Sequence, residues 1–246
     1  ADNDCPAQVP STPEQQGWQN VPGDFPRITD QTVDWTNLAQ LQTVFLQHWR
    51  YHRADPAFQR FLQHVPMYVQ WDDHEVINDF GASWLSWKNS KKKNGKDQRQ
   101  GHPNVVQAGR ETLFLYAPID RHPDEPQRIY RSFRWGKDLE IFLLDARSYR
   151  SRNDLPDTPK HAKTLLGADQ LEWLKHSLAE STATWKVVSS DVPLSIPTGS
   201  DPAVQGRDGW ANGPEPLASS AEFQAESSAT DIAFQTGFER ELFDLL

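Results

Sequence analysis

The chain has 246 residues, a formal net charge of −9, and 37% apolar and 24% charged residues. That balance excludes wholesale disorder and argues against a general nucleic-acid binder, because phosphate backbones need basic surfaces. No run of about 18 apolar residues is present, so no membrane span is read, and the single cysteine, Cys5, can make no internal disulfide.

Residues 1–30 read as loop, since Pro6, Pro10, Pro13, Pro22 and Pro26 leave little room for helix or central strand. Leu38, Leu41, Phe45 and Trp49 then fall on one face of a 3.6-residue period and predict a helix. A second, short helix follows, with Asp55 as its cap, Pro56 at its first position, and Phe58, Phe61 and Leu62 on its apolar face. Residues 67–71 read as a short buried strand. Residues 86–104 form a polar, Lys-rich loop, solvated or steering phosphate. Residues 105–117 predict a helix that stops at Pro118.

A hairpin is expected next, with strands at 129–135 and 139–144 around Gly136-Lys137-Asp138. The second strand is apolar along nearly its whole length, as a strand covered on both faces would be. Residues 167–180 predict a helix, with Ala168, Leu171, Leu174 and Leu178 on its buried side, and residues 185–189 another strand. Residues 195–228 are rich in Gly, Pro, Ser and Ala, a functional loop such as an active-site lid, or a disordered one. A last helix is expected from about Thr230, burying Phe234, Phe238 and Leu242. The only methionine is Met67, and the chain stops inside an amphipathic pattern. The expectation is therefore an internal piece of a longer protein.

Between residues 72 and 79 stand Asp72, Asp73, Glu75 and Asp79 with His74 and Asn78. Gathering carboxylates is unfavourable unless a cation neutralises them. Hard cations take oxygen ligands, and histidine widens the choice to transition metals. The competing reading is a solvated acidic loop in which Asp72 or Asp73 caps a helix running through Val76 and Ile77. The second candidate is Asp145-Ala146-Arg147-Ser148, which follows a core strand. Arg147 has the planar fork that clamps a phosphoryl group; the competing readings are a pair with Asp145 or a plain surface charge, and Asp145 could itself orient the strand end. His48 and His52 have i, i+4 spacing, but no Glu follows the first, so a zincin-type site is set aside.

Trp71-Asp72-Asp73-His74-Glu75-Val76 with Asn78 resembles the signature of the PhoD-type alkaline phosphatases, a branch of the calcineurin-like metallophosphatases. Leu144-Asp145-Ala146-Arg147-Ser148-Tyr149-Arg150, Leu166-Gly167-Ala168-Asp169-Gln170-Leu171-Glu172-Trp173-Leu174 and Trp185-Lys186-Val187-Val188 are similar to later blocks of that family, in the same order. Ala1-Asp2-Asn3 is similar to the tail of its early Gly-Asp-x-x-Tyr-Ala-Asp block. The resemblance implies an α/β protein, a four-layer α/β/β/α sandwich with mixed sheets. Here it would be one partial domain over residues 1–246, incomplete at both ends.

The resemblance further implies hydrolysis of phosphate monoesters by a metal-activated water or hydroxide. Asp72 or Asp73 and Asn78 would be metal ligands, and Arg147 the phosphate-binding residue. His74 would contact phosphate or the leaving oxygen, oriented by Glu75. Ca²⁺ and Fe³⁺ are the metals the family brings, with Mn²⁺, Zn²⁺ or Mg²⁺ as alternatives. The partner expected is a small phosphorylated substrate, with no nucleic acid and no membrane span, acted on by a monomer outside the cytoplasm. The family's early Asp and Tyr ligands would precede residue 1, and its late Asp-Val-His block would follow Leu246; Asp191-Val192-Pro193 is not that block. Phosphodiesterase or phospholipase D-like activity, or a non-catalytic phosphate- or protein-binding module, are the rival readings.

Overall fold

The computed structural model describes residues 34, 36–76, 80–81, 103–151, 153, 157, 162–194, 209–210 and 237–246. These hold five α-helices and a three-stranded sheet, a mixed α/β fold. They belong to two compact units, Ala1–Phe80 with Ser90–Arg128, and Gly81–Asn89 with Ile129–Leu246. Of the loops expected over residues 1–30, 86–104 and 195–228, residues 1–30, 86–102, 195–208 and 211–228 lie outside the described residues, while Pro103 and Asn104 open a helix instead. Among the described residues, no helix is long and apolar enough to cross a membrane.

In the first unit, α1 (Leu38–Arg53) packs on α3 (Pro103–Tyr116). Asn37 caps α1, its side-chain oxygen accepting from the N–H groups of Ala39 and Gln40. Leu41, Phe45, His48 and Trp49 form the buried face of α1, and Val105, Ala108, Thr112 and Leu113 that of α3. Trp49 stacks on Tyr116 at 5.5 Å, and Arg53 donates to the Tyr116 carbonyl at the end of α3. Helix α2 (Pro56–His64) begins as its sequence predicts, with Asp55 accepting from Ala57 and Phe58 at 2.7 and 2.8 Å. Residues 67–71, expected as a buried strand, are irregular. Only Trp71 is buried, and Tyr68 is 43% exposed. A central strand needs apolar cover on both faces, and this segment lacks it.

In the second unit, β1 (Arg131–Trp135) runs antiparallel to β2 (Leu139–Leu143), and β2 runs parallel to β3 (Trp185–Ser189). Gly136, at φ 57°, supplies the left-handed turn residue between β1 and β2. Arg134 ties the turn down by donating to the carbonyls of Gly136 and Lys137. Helix α4 (Ala168–Glu180) connects β2 to β3 and buries Leu174 against Phe142, Leu144, Val192, Trp210 and Phe238.

The final helix α5 spans Glu239–Leu245. Phe238 stands before it with its N–H donated to the Trp210 carbonyl at 2.7 Å, so the helix predicted from about Thr230 does not run through this point. Phe238 is fully buried and Leu242 partly so, as expected; Phe234 is outside the described residues. Glu241 reaches back from α5 to residues 164–166. Its carboxylate accepts from the Thr164 hydroxyl and from the N–H groups of Leu165 and Leu166 at 2.9 and 2.8 Å.

Burial raises the Glu241 carboxyl above its ordinary 4.5; the bonds from Thr164, Leu166 and Leu165 oppose that rise, and the charge of Asp157 adds to it. A carboxyl whose folded pKa is raised stabilises fully below its unfolded value, and that contribution is lost as pH climbs through the folded value. Glu241→Gln keeps an acceptor for the two amides and carries no charge. Its melting temperature relative to wild type should rise as pH is taken from about 4 to about 8. Paired thermal melts check this; a difference that stays flat or falls with pH contradicts it.

Candidate active site

The acidic segment is a single turn of 3₁₀ helix, Asp73–Glu75, entered at Asp72. Asp72 and Glu75 close a capping box around it, with the Asp72 N–H donating to Glu75 Oε2 at 2.8 Å. The capping reading thus holds for Asp72, on a shorter helix than expected, and Glu75 commits one oxygen to the backbone. His74 Nε2 lies 3.9 Å from Asp73 Oδ1; the His74 side chain is 40% exposed and that of Asp73 13%. The turn follows an irregular segment, not a strand end.

Two buried apolar residues hold the turn from either side. Trp71 packs edge-on against Phe80 at 5.0 Å, with the Arg110 guanidinium 5.3 Å from its ring centroid. Val76, 2% exposed, seats against α3 at Gly109. A Cβ on Gly109 would stand 2.7 Å from Val76 Cγ2 and 3.1 Å from the Glu75 carbonyl. The absent side chain lets the turn lie on the helix. Asn78 and Asp79 fall outside the described residues.

Arg147 lies in the other unit, in the loop where the chain leaves β2. Its neighbourhood is dry: Asp145 and Ala146 are 0% exposed and Arg147 1%. Buried backbone N–H groups need partners, and five consecutive ones find them. Leu144 donates to the Ser189 carbonyl at 3.0 Å, continuing the parallel pairing. Asp145 donates to Gln170 Oε1 at 2.9 Å, and Ala146 to the Asp191 carboxylate at 3.1 and 3.2 Å. Arg147 and Ser148 both donate to Asp145 Oδ1, at 3.1 and 2.9 Å. Asp145 is therefore an orienter of the strand exit, one of the two roles its position suggests. Gln170 Nε2 also donates to the Asp145 and Leu166 carbonyls at 2.9 and 3.0 Å. Leaving such buried groups unpaired costs about 1–3 kcal/mol each.

Gln170, Asp191 and Gly109 are absent from the residues picked out by sequence. Gln170 had a visible sign: a carboxamide midway between Leu166 and Leu174 on a buried helical face. His48 is fully buried on α1, an ordinary core histidine.

The donor chemistry of Asp72, Asp73 and His74 suits a hard or borderline cation. Among the described residues, however, no three His, Cys, Asp or Glu side chains converge to hold one. The turn offers part of a donor set.

A sequence profile of the PhoD-like phosphatases matches residues 14–236. The chain belongs to the PhoD-like phosphatase family. Alkaline phosphatase D of Bacillus subtilis (strain 168) is 31% identical over 161 residues, which cover 62% of this chain and 26% of that protein. The chain thus spans about a quarter of the length of this curated PhoD-like relative. A solved structure of PhoD is 26% identical and covers 62% of this chain and 31% of its own, with a TM-score of 0.48.

The close seat at Gly109 makes a prediction. Alanine at an open helix position gains about 1 kcal/mol over glycine. At 109 its methyl meets a stiff Val and a backbone carbonyl, and Gly109→Ala should instead lose about 1–3 kcal/mol. Denaturant unfolding measures the sign, and a stabilised variant contradicts the packing.

Proposed function

We propose that this protein hydrolyses phosphate monoesters, with Asp72, Asp73, His74, Asn78 and Arg147 in its active site. The observation that carries the reading is the family match over residues 14–236, which contains all five positions. Asp72 or Asp73, with Asn78, would hold metal ions, of which Ca²⁺ and Fe³⁺ are the first choices and Mn²⁺, Zn²⁺ or Mg²⁺ the alternatives. When bound, such ions polarise phosphoryl oxygens and ease deprotonation of water. Glu75 steadies the turn through the Asp72 N–H. His74, the more open side chain of its pair with Asp73, hydrogen-bonds the phosphoryl group or hands a proton to the leaving oxygen.

Arg147 binds the equatorial oxygens through charge-assisted hydrogen bonds. Because it is 1% exposed, such contact requires its cover to part. The wider architecture we read is the four-layer α/β/β/α sandwich, in a monomer that acts outside the cytoplasm. The likeness to alkaline phosphatase D supports a phosphatase reaction.

The test uses the protein at its full natural length. Wild type should turn over an aryl phosphate faster than the corresponding diester and should carry metal by elemental analysis. The Asp72→Ala/Asp73→Ala double variant should lose activity by on the order of 100-fold or more, as loss of metal ligation or its support does. Undiminished turnover in the double variant would sink the assignment, and metal-free protein with full activity would remove the metal.

A further inference from the structure

We infer that Gln170 is a positioning residue for Arg147, acting through the backbone of Asp145. The inference rests on the phosphate role proposed for Arg147. Gln170 projects from α4, a helix anchored in the core by Leu174. Its carboxamide meets both polar groups of residue 145: Oε1 accepts the Asp145 N–H and Nε2 donates to the Asp145 carbonyl, each at 2.9 Å. The second Nε2 hydrogen goes to the Leu166 carbonyl at 3.0 Å. Both hydrogens are thus used, and the amide can stand only one way round.

The side chain imitates a neighbouring strand at the point where β2 has run out of one. Asp145, so held, accepts the Arg147 N–H at 3.1 Å and the Ser148 N–H at 2.9 Å. Asp191 fixes the residue between, through the Ala146 N–H. The backbone that carries Arg147 is therefore referenced to a helix and not to a free loop, and functional side chains are held most accurately on such rigid elements. Gln170 touches no substrate in this scheme.

A double-mutant cycle in the full-length protein tests it. Gln170→Met keeps the volume and removes all three hydrogen bonds; Arg147→Gln removes the charge. An aryl phosphate is the substrate and inorganic phosphate the competing probe. Gln170→Met alone should raise KM and the phosphate inhibition constant by on the order of tenfold. In the Arg147→Gln background the same change should add less than about twofold, because the coupled partner is already gone. An equal loss in both backgrounds marks a purely structural residue and overturns the inference, as does no change in wild type. Should Gln170→Met fail to fold, Gln170→Glu, which retains the acceptor and loses the donor, takes its place in the same cycle with the same outcomes. Wild-type kinetics in Arg147→Gln alone, or no turnover by wild type, overturns the phosphate reading and this inference with it. Either is seen before Gln170 is altered.

Discussion

The partnering of buried backbone groups where β2 ends is the constraint on which the second unit depends. Inside a sheet, neighbouring strands satisfy each N–H and carbonyl. Past Leu144 that supply stops, yet the chain stays dry for several residues. Water cannot serve there, so side chains from elsewhere must. Gln170 from α4, Asp191 from the segment after β3, and Asp145 from the loop itself divide the work. The helix and the strands consequently cannot shift independently, since each holds an end of the same five-residue stretch.

The acidic turn in the first unit is more open to solvent. Its four polar residues are only partly buried. Trp71 and Val76 are its flanks, each sunk beside α3, with Gly109 removing the obstruction between. One candidate segment is thus fixed by directional hydrogen bonds to its own backbone. The other has a capping box within it and a buried apolar residue on either side.

Local rules carried the sequence reading furthest. The Asp55 cap with Pro56 needs only neighbouring residues, and it stands as expected. The strand at Trp185–Ser189 matches to the residue, and β2 ends one residue before its predicted limit. What failed needed knowledge of neighbours. The apolar look of residues 67–71 cannot say whether another strand lies alongside, and tertiary context decides strand formation more than propensity does. The placement of Asp145 and Arg147 after a core strand was legible because that strand is nearly continuous in apolar residues. The Gln170 clamp was not, because it links residues 25 apart and presupposes the docking of α4. The family blocks were legible as words, but the way their side chains hold one another was not.

Glu241 has a further consequence for folding order. Its bonds to the Leu165 and Leu166 amides close 76 and 75 residues of chain. Closing a loop of that length is entropically unfavourable until other contacts bring its ends near, so this junction belongs among the late events, after the hairpin of β1 and β2 has formed from adjacent sequence. Run in reverse, undocking of α5 takes Glu241 away from the amides of Leu165 and Leu166. Hydrogen exchange at those two residues is therefore a gauge of what the last helix is doing.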